Sequence, residues 1–163
     1  MEMNRLSGRP ADDEIERIVT TYEPGLFRLC LMMLGREMDA EDAVSETMIR
    51  YIGKAPDFHD SGHERAWLYT VAANVCRDML RRRRKTVSLD QVELTIYARE
   101  PEDRPILEAL SRLPEEYRTV LYLHYVEGYK SHEIGAMLGV SSGTVRKRLQ
   151  YARRLLKLEY EQE

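Results

Sequence analysis

Cysteine, strand signals and long apolar runs are all scarce in this chain. Its two cysteines, Cys30 and Cys76, sit in apolar helical patterns without partners at metal-ligand spacing. That excludes a disulfide framework and a cysteine metal site, and predicts two reduced thiols in a core. No stretch approaches the roughly 18 apolar residues that a spanning helix needs, so no membrane insertion is expected. The N-terminal MEMNRLSGRP lacks the apolar stretch of a secretory signal, which predicts a cytoplasmic protein. Alternating Val/Ile/Thr runs are few, and neither Asn-Gly nor Asp-Gly occurs, so β-hairpins have no turn signal. No internal repeat is evident. A spaced acid triad, or a nucleophile with a basic cluster, is also missing. Their absence argues against an enzyme on DNA such as a recombinase, and no cofactor or metal is expected.

What is present suits a helix-rich protein of one domain or two small ones: 43% hydrophobic and 33% charged residues over 163 positions. The net charge is −3, from 25 basic and 28 acidic side chains, yet positive charge is gathered in two places. One is RRRRK at 81–85. The other is GVSSGTVRKRLQYARRLLK at 139–157, with six Arg/Lys, in a stretch free of acid from Glu133 to Glu159. An acidic whole argues against indiscriminate coating of nucleic acid, whereas clustering argues for one-sided contact.

Periodicity predicts an all-α fold. Residues 12–34 open with acids, carry Ile15, Ile18 and Val19, and resume after Pro24-Gly25 as LFRLCLMML, with Gly35 as C-cap. Asp39 is the expected cap of a helix with Val44, Met48 and Ile52 on one side. Residues 53–62 form a loop. A third helix from about Glu64 bears Leu68, Val71, Ala72, Val75 and Met79 and ends in the arginine run. Residues 86–106 have weak periodicity, two prolines and negative charge, and are expected to be a flexible linker. A second unit follows: a helix over 107–113, another from Pro114 to Gly128, a third begun by Ser131 as N-cap, and a last one after Gly139.

In HEIGAMLGVSSGTVRKRL the apolar positions are Ile134, Leu138, Val140, Val145 and Leu149. Gly135 and Ala136 are small enough for two helices to approach, Gly139 supplies a left-handed turn, and Ser141 or Ser142 caps the next helix. This is a helix-turn-helix pattern. On its second helix Val145, Leu149, Ala152 and Leu156 form the inward stripe, with Arg146, Lys147, Gln150, Arg153, Arg154 and Lys157 roughly opposite. Such a helix suits a major groove of about 12 Å. Asp39, Glu41 and Asp42 at a helix start are explained as dipole complements rather than a metal or acid–base site. His59 and His63 read as exposed polar residues, and Trp67 as a core anchor. A stand-alone helix-turn-helix regulator of operators would account for residues 111–157 and leave the first 85 unassigned.

In order, DAEDAVSETMIRYI, then Phe58, then WLYTVAANVCRDMLRRRRK, then LSRLPEEYRTVLYLHYVEGYKSHEIGAMLGVSSGTVRKRLQYAR resemble an extracytoplasmic-function (ECF) sigma factor of bacterial RNA polymerase. The resemblance covers about 15–85 and 107–157. It implies sigma region 2 at 1–85, a linker at 86–106 and sigma region 4 at 107–163, with promoter-specific initiation as the function and no enzymatic activity. It also implies core RNA polymerase (β′ clamp and β flap), promoter DNA and an anti-sigma protein as partners. Asp39, Glu41, Asp42, Ser45 and Glu46 would face the clamp. Phe58, His63, Trp67, Asn74, Arg77, Arg81 and Lys85 would engage the −10 element, with Asn74 reading a base in the non-template strand. Ser142, Thr144, Arg146, Lys147, Arg148, Gln150, Tyr151, Arg153 and Arg154 would grip the −35 element. The family usually carries Gln at the position of Ser45 and Arg at that of Tyr151.

Overall fold

The computed structural model describes residues 10–84 and 103–161, and among them there are helices and no strand. The first half is α1 (Asp12–Leu34), α2 (Glu37–Lys54) and α3 (Ser61–Arg84). Helix α1 runs unbroken through Pro24, where an interruption was expected. Pro24 cannot donate to the carbonyl one turn back, but Ile18 and Tyr22 before it and Leu26, Leu29 and Cys30 after it share one buried face. Burial on both sides outweighs the lost hydrogen bond. Gly35 ends the helix at φ 78°, its N–H donating to the Leu31 carbonyl at 2.7 Å.

Helix α2 begins at Glu37 with Arg36 in the N-cap position, so Asp39 lies inside the first turn and does not cap. Its buried side is Ala40, Ala43, Val44, Thr47 and Tyr51, whose small members let it lie close to its neighbours. Helix α3 starts at Ser61, earlier than the expected Glu64, because Asp60 Oδ1 accepts from the His63 N–H at 2.8 Å and satisfies a first-turn donor.

The second half is α4 (Asp103–Ser111), α5 (Glu115–Leu121), a π-helical turn (Tyr122–Val126), α6 (Ser131–Leu138) and α7 (Ser142–Glu161). Residues 103–106, expected in the linker, are already helical; 85–102 lie outside the described residues. The helix expected to run evenly to Gly128 widens after Leu121. There the Glu127 N–H reaches back to the Tyr122 carbonyl at 3.2 Å, which turns Tyr122 and Leu123 inward and leaves Tyr125 and Val126 exposed. Lys130, not Ser131, precedes α6, and Glu133 Oε1 accepts from its N–H at 3.0 Å. Ser141 is the cap of α7, its Oγ accepting from the Thr144 N–H at 3.1 Å. The tight turn rests on Gly135, where a Cβ would lie 2.6 Å from the Val140 carbonyl oxygen; Ala136 is exposed and takes no part.

The two halves close on each other. Helix α5 lies against α1 and α6 against α3, and Val120, Leu121, Leu123 and Ile134 continue the core begun by Leu26, Leu29, Leu68 and Ala72.

Candidate nucleic-acid interface

Three surfaces carry the residues singled out above. On α2, Glu41, Asp42, Ser45 and Glu46 are exposed on one side, with Met38 (77% exposed) and Ile49 (62%) among them. Bare apolar side chains within an acidic patch mark a contact face. Neither was singled out in the sequence, although each shares the helical angle of the acids. Asp39 stands apart, because its carboxylate pairs with Arg83 of α3, whose Nη1 also donates to the Leu34 carbonyl at 2.9 Å.

The second surface is the loop before α3 and one side of α3 itself. Phe58, His63 and Trp67 gather with Tyr51: Phe58 stacks on Tyr51 at 6.1 Å and meets Trp67 edge-on at 5.8 Å and His63 at 5.2 Å. Trp67 is half-buried in this cluster rather than deep in the core. Beneath it lies Glu64, 5% exposed, which the sequence presents as an ordinary surface acid. Its carboxylate accepts from Tyr22 and Tyr51 hydroxyls at 3.0 Å each and from Arg17 at 3.3 Å through both oxygens. This buried charge is fully partnered, and it ties α1, α2 and α3 together under the aromatic cluster. Burial, then the Glu64 charge, pushes the Tyr51 phenol well up from its ordinary range. His59 is exposed and stacks on His63 at 5.1 Å.

Farther along α3, Asn74, Arg77 and Arg81 follow Trp67 on the same broad side. Arg81 is exposed and pairs with Asp78, and Lys85 lies outside the described residues. Asn74 and Arg77 are not open. The Asn74 Oδ1 accepts from Arg77 Nη2, while Arg77 Nη1 donates to the Leu138 carbonyl in the other half.

The third surface is α7. Val145, Leu149 and Ala152 are buried, and Arg146, Lys147, Gln150, Arg153 and Arg154 stand exposed. Arg146 Nη1 reaches the Ser142 Oγ at 3.4 Å, and Arg153 Nη1 donates to the Tyr125 hydroxyl at 2.9 Å. The Thr144 hydroxyl is 2.9 Å from Ser141 Oγ and belongs to the cap. Arg148 differs from its neighbours. It is half-buried on the opposite side, 3.8 Å from Glu116 of α5. At 100° per residue it falls about 160° from Arg146, so the helical angle already held this distinction. Tyr151 is 47% exposed and meets Tyr117 edge-on at 5.0 Å.

The chain matches two family models, Sigma-70 region 2 over residues 18–86 and Sigma-70 region 4 over residues 103–156. It is 31% identical to the ECF RNA polymerase sigma factor SigW of Bacillus subtilis, over 89% of this chain and 88% of that one. It is 33% identical to the ECF RNA polymerase sigma factor SigL of Mycobacterium tuberculosis, over 96% of this chain and 95% of that one. In three dimensions it superposes on the sigma factor RpoE of Bartonella quintana, solved with the anti-sigma factor NepR, with a TM-score of 0.75. That match has 21% identity and covers 91% of this chain and 97% of the other. With region 2 and region 4 both present and in this order, the chain belongs to the ECF family of RNA polymerase sigma factors.

Proposed function

We propose that the three surfaces divide the work of promoter-specific initiation among polymerase, −10 element and −35 element. The exposed side of α7 over residues 142–157, where the sequence holds no acid, is the observation that carries the reading. Arg146, Lys147, Gln150, Arg153 and Arg154 offer forked and single-point donors, suited to base edges and to phosphates of the −35 duplex. Tyr151 adds ring surface at the edge of that face, and Arg148 supports the fold of α7 rather than the readout.

The aromatic cluster of Phe58, His63 and Trp67, with Asn74, Arg77 and Arg81, suits an unpaired strand. Rings stack on exposed bases, an amide pairs with a base edge, and guanidinium groups meet phosphates. Region 2 thus holds the −10 non-template strand open with no hydrolysis of its own. The acidic side of α2, with Met38 and Ile49, meets a basic and partly apolar surface of the β′ clamp, and region 4 meets the β flap. The protein works in the cytoplasm, where the polymerase is, and an anti-sigma protein is a further partner.

Comparing single substitutions on a −35 duplex tests the α7 assignment. Arg146→Ala costs ~1–3 kcal/mol of binding free energy if it makes a bidentate base contact, and Arg148→Ala leaves affinity for that duplex unchanged. Fluorescence anisotropy on cognate and mutated −35 sequences measures both. Equal losses, or a larger loss for Arg148→Ala, would sink this division of the helix.

A further inference from the structure

We infer that Glu64 is a positioning residue for capture of the unpaired −10 strand, acting through the ring of Tyr51. This rests on the reading of Phe58, His63 and Trp67 as the −10 surface given above.

An acid is a costly choice for this place. Taking a carboxylate out of water carries a penalty, and a well-packed apolar side chain at a buried site is often as stable or more so. Stability alone is therefore a poor account of Glu64. What the carboxylate supplies is fixed oxygens. Its Oε1 accepts from the Tyr22 hydroxyl and its Oε2 from the Tyr51 hydroxyl, while the Arg17 guanidinium lies 3.3 Å from each. The two-pronged contact with Arg17 sets the plane of the carboxylate.

Tyr51 links this anchor to the cluster above it. It is 2% exposed, with its hydroxyl held by Glu64. Its ring stacks on Phe58 within 13° of parallel and meets Trp67 edge-on at 6.0 Å. Two half-buried rings thus rest on a third that a buried hydrogen bond keeps from sliding. Phe58 lies in the loop between α2 and α3, so packing rather than a helical backbone places its ring. Rings already in place accept an unpaired base without the loss of affinity that ordering them during binding would bring.

Tyr22 provides the contrast. Its hydroxyl bonds the same carboxylate at the same 3.0 Å and also reaches the Ser61 carbonyl at 3.3 Å, so the fold loses at least as much without it. Its ring, however, lies on the buried face of α1 with Ile18 and Leu26. A merely structural Glu64 makes Tyr22 and Tyr51 equivalent. A positioning Glu64 makes only Tyr51 matter to the strand.

The test compares Tyr51→Phe, Tyr22→Phe and Glu64→Leu in the full chain. Trp67 is the only tryptophan, so its emission in the free chain reports the cluster without DNA. Holoenzyme made with each variant is then titrated with a dye-labelled −10 non-template strand, taken from a promoter mapped by run-off transcription, and with the −35 duplex of that promoter. Tyr51→Phe and Glu64→Leu should shift Trp67 emission to the red and weaken strand binding about tenfold, with −35 affinity unchanged. Tyr22→Phe should leave emission and strand binding as they are. Circular dichroism shows whether Glu64→Leu folds; Tyr51→Phe, which loses one oxygen, decides the matter if it does not. Equal losses of strand binding in Tyr22→Phe and Tyr51→Phe overturn the positioning role, as does Trp67 emission unchanged in Tyr51→Phe. Shifted emission with strand binding intact overturns instead the reading of this cluster as the −10 surface.

Discussion

At the scale of single residues, the decisive fact is which side chains are spoken for. Tyr69 is a case with a measurable consequence: burial, then the charge of Glu127, raises its phenol to about 12 from an ordinary 10. Tyr22 is raised too, first by burial and then by its bond to Glu64. A phenol with a raised folded-state pKa keeps its full contribution to stability below pH 10. As pH climbs through the window from about 10 to 12, the unfolded chain ionises and the folded one resists, so stability falls. Denaturant midpoints followed by tyrosinate absorbance should drop steeply across that window. A midpoint that stays level to pH 12 would mean these hydroxyls are not buried as described. Other residues show why part of the site escaped the sequence. Glu64, Arg118 and Glu127 look like surface charges in a chain that is one-third charged. Their roles come from partners far along the chain, as with Glu64 and Tyr22, 42 positions apart, or Arg118 and Met32, 86 apart. No local rule carries such pairings.

At the scale of elements, local rules go far. Gly35 and Gly139 adopt the left-handed conformation that a helix end demands, and Pro114 opens α5. Ser141 caps α7, and the stripe Val145, Leu149, Ala152 is buried as its spacing requires. These features depend on neighbours within a turn or two, so they were legible. The expected break at Pro24 and the expected even helix up to Gly128 failed because tertiary burial overrode propensity in one place and inserted a wider turn in the other. The helix-turn-helix itself turns on Gly135. A Cβ there would press on backbone, the Val140 carbonyl, rather than on a side chain that can rotate away. Gly135→Ala should therefore destabilise the fold by ~1–3 kcal/mol. Urea unfolding of the whole chain measures it, and a stability unchanged within ~0.5 kcal/mol would show that the turn has slack.

At the scale of the whole molecule, acidic and basic side chains are sorted by surface. The net charge is −3, while α7 keeps a concentrated positive side. Region 2 and region 4 were readable as separate units in the right order. Their packing on each other was not, because it rests on Arg77, Arg118 and Glu127, whose partners lie in the opposite half. Whether this chain directs polymerase to promoters is read out by run-off transcription. Core polymerase alone and core with this chain are given a pool of genomic promoter fragments, and the start sites are mapped. Discrete start sites should appear only when the chain is added, share −35 and −10 sequences, and be lost with Arg146→Ala and Asn74→Ala. Start sites identical with and without the chain would contradict that role.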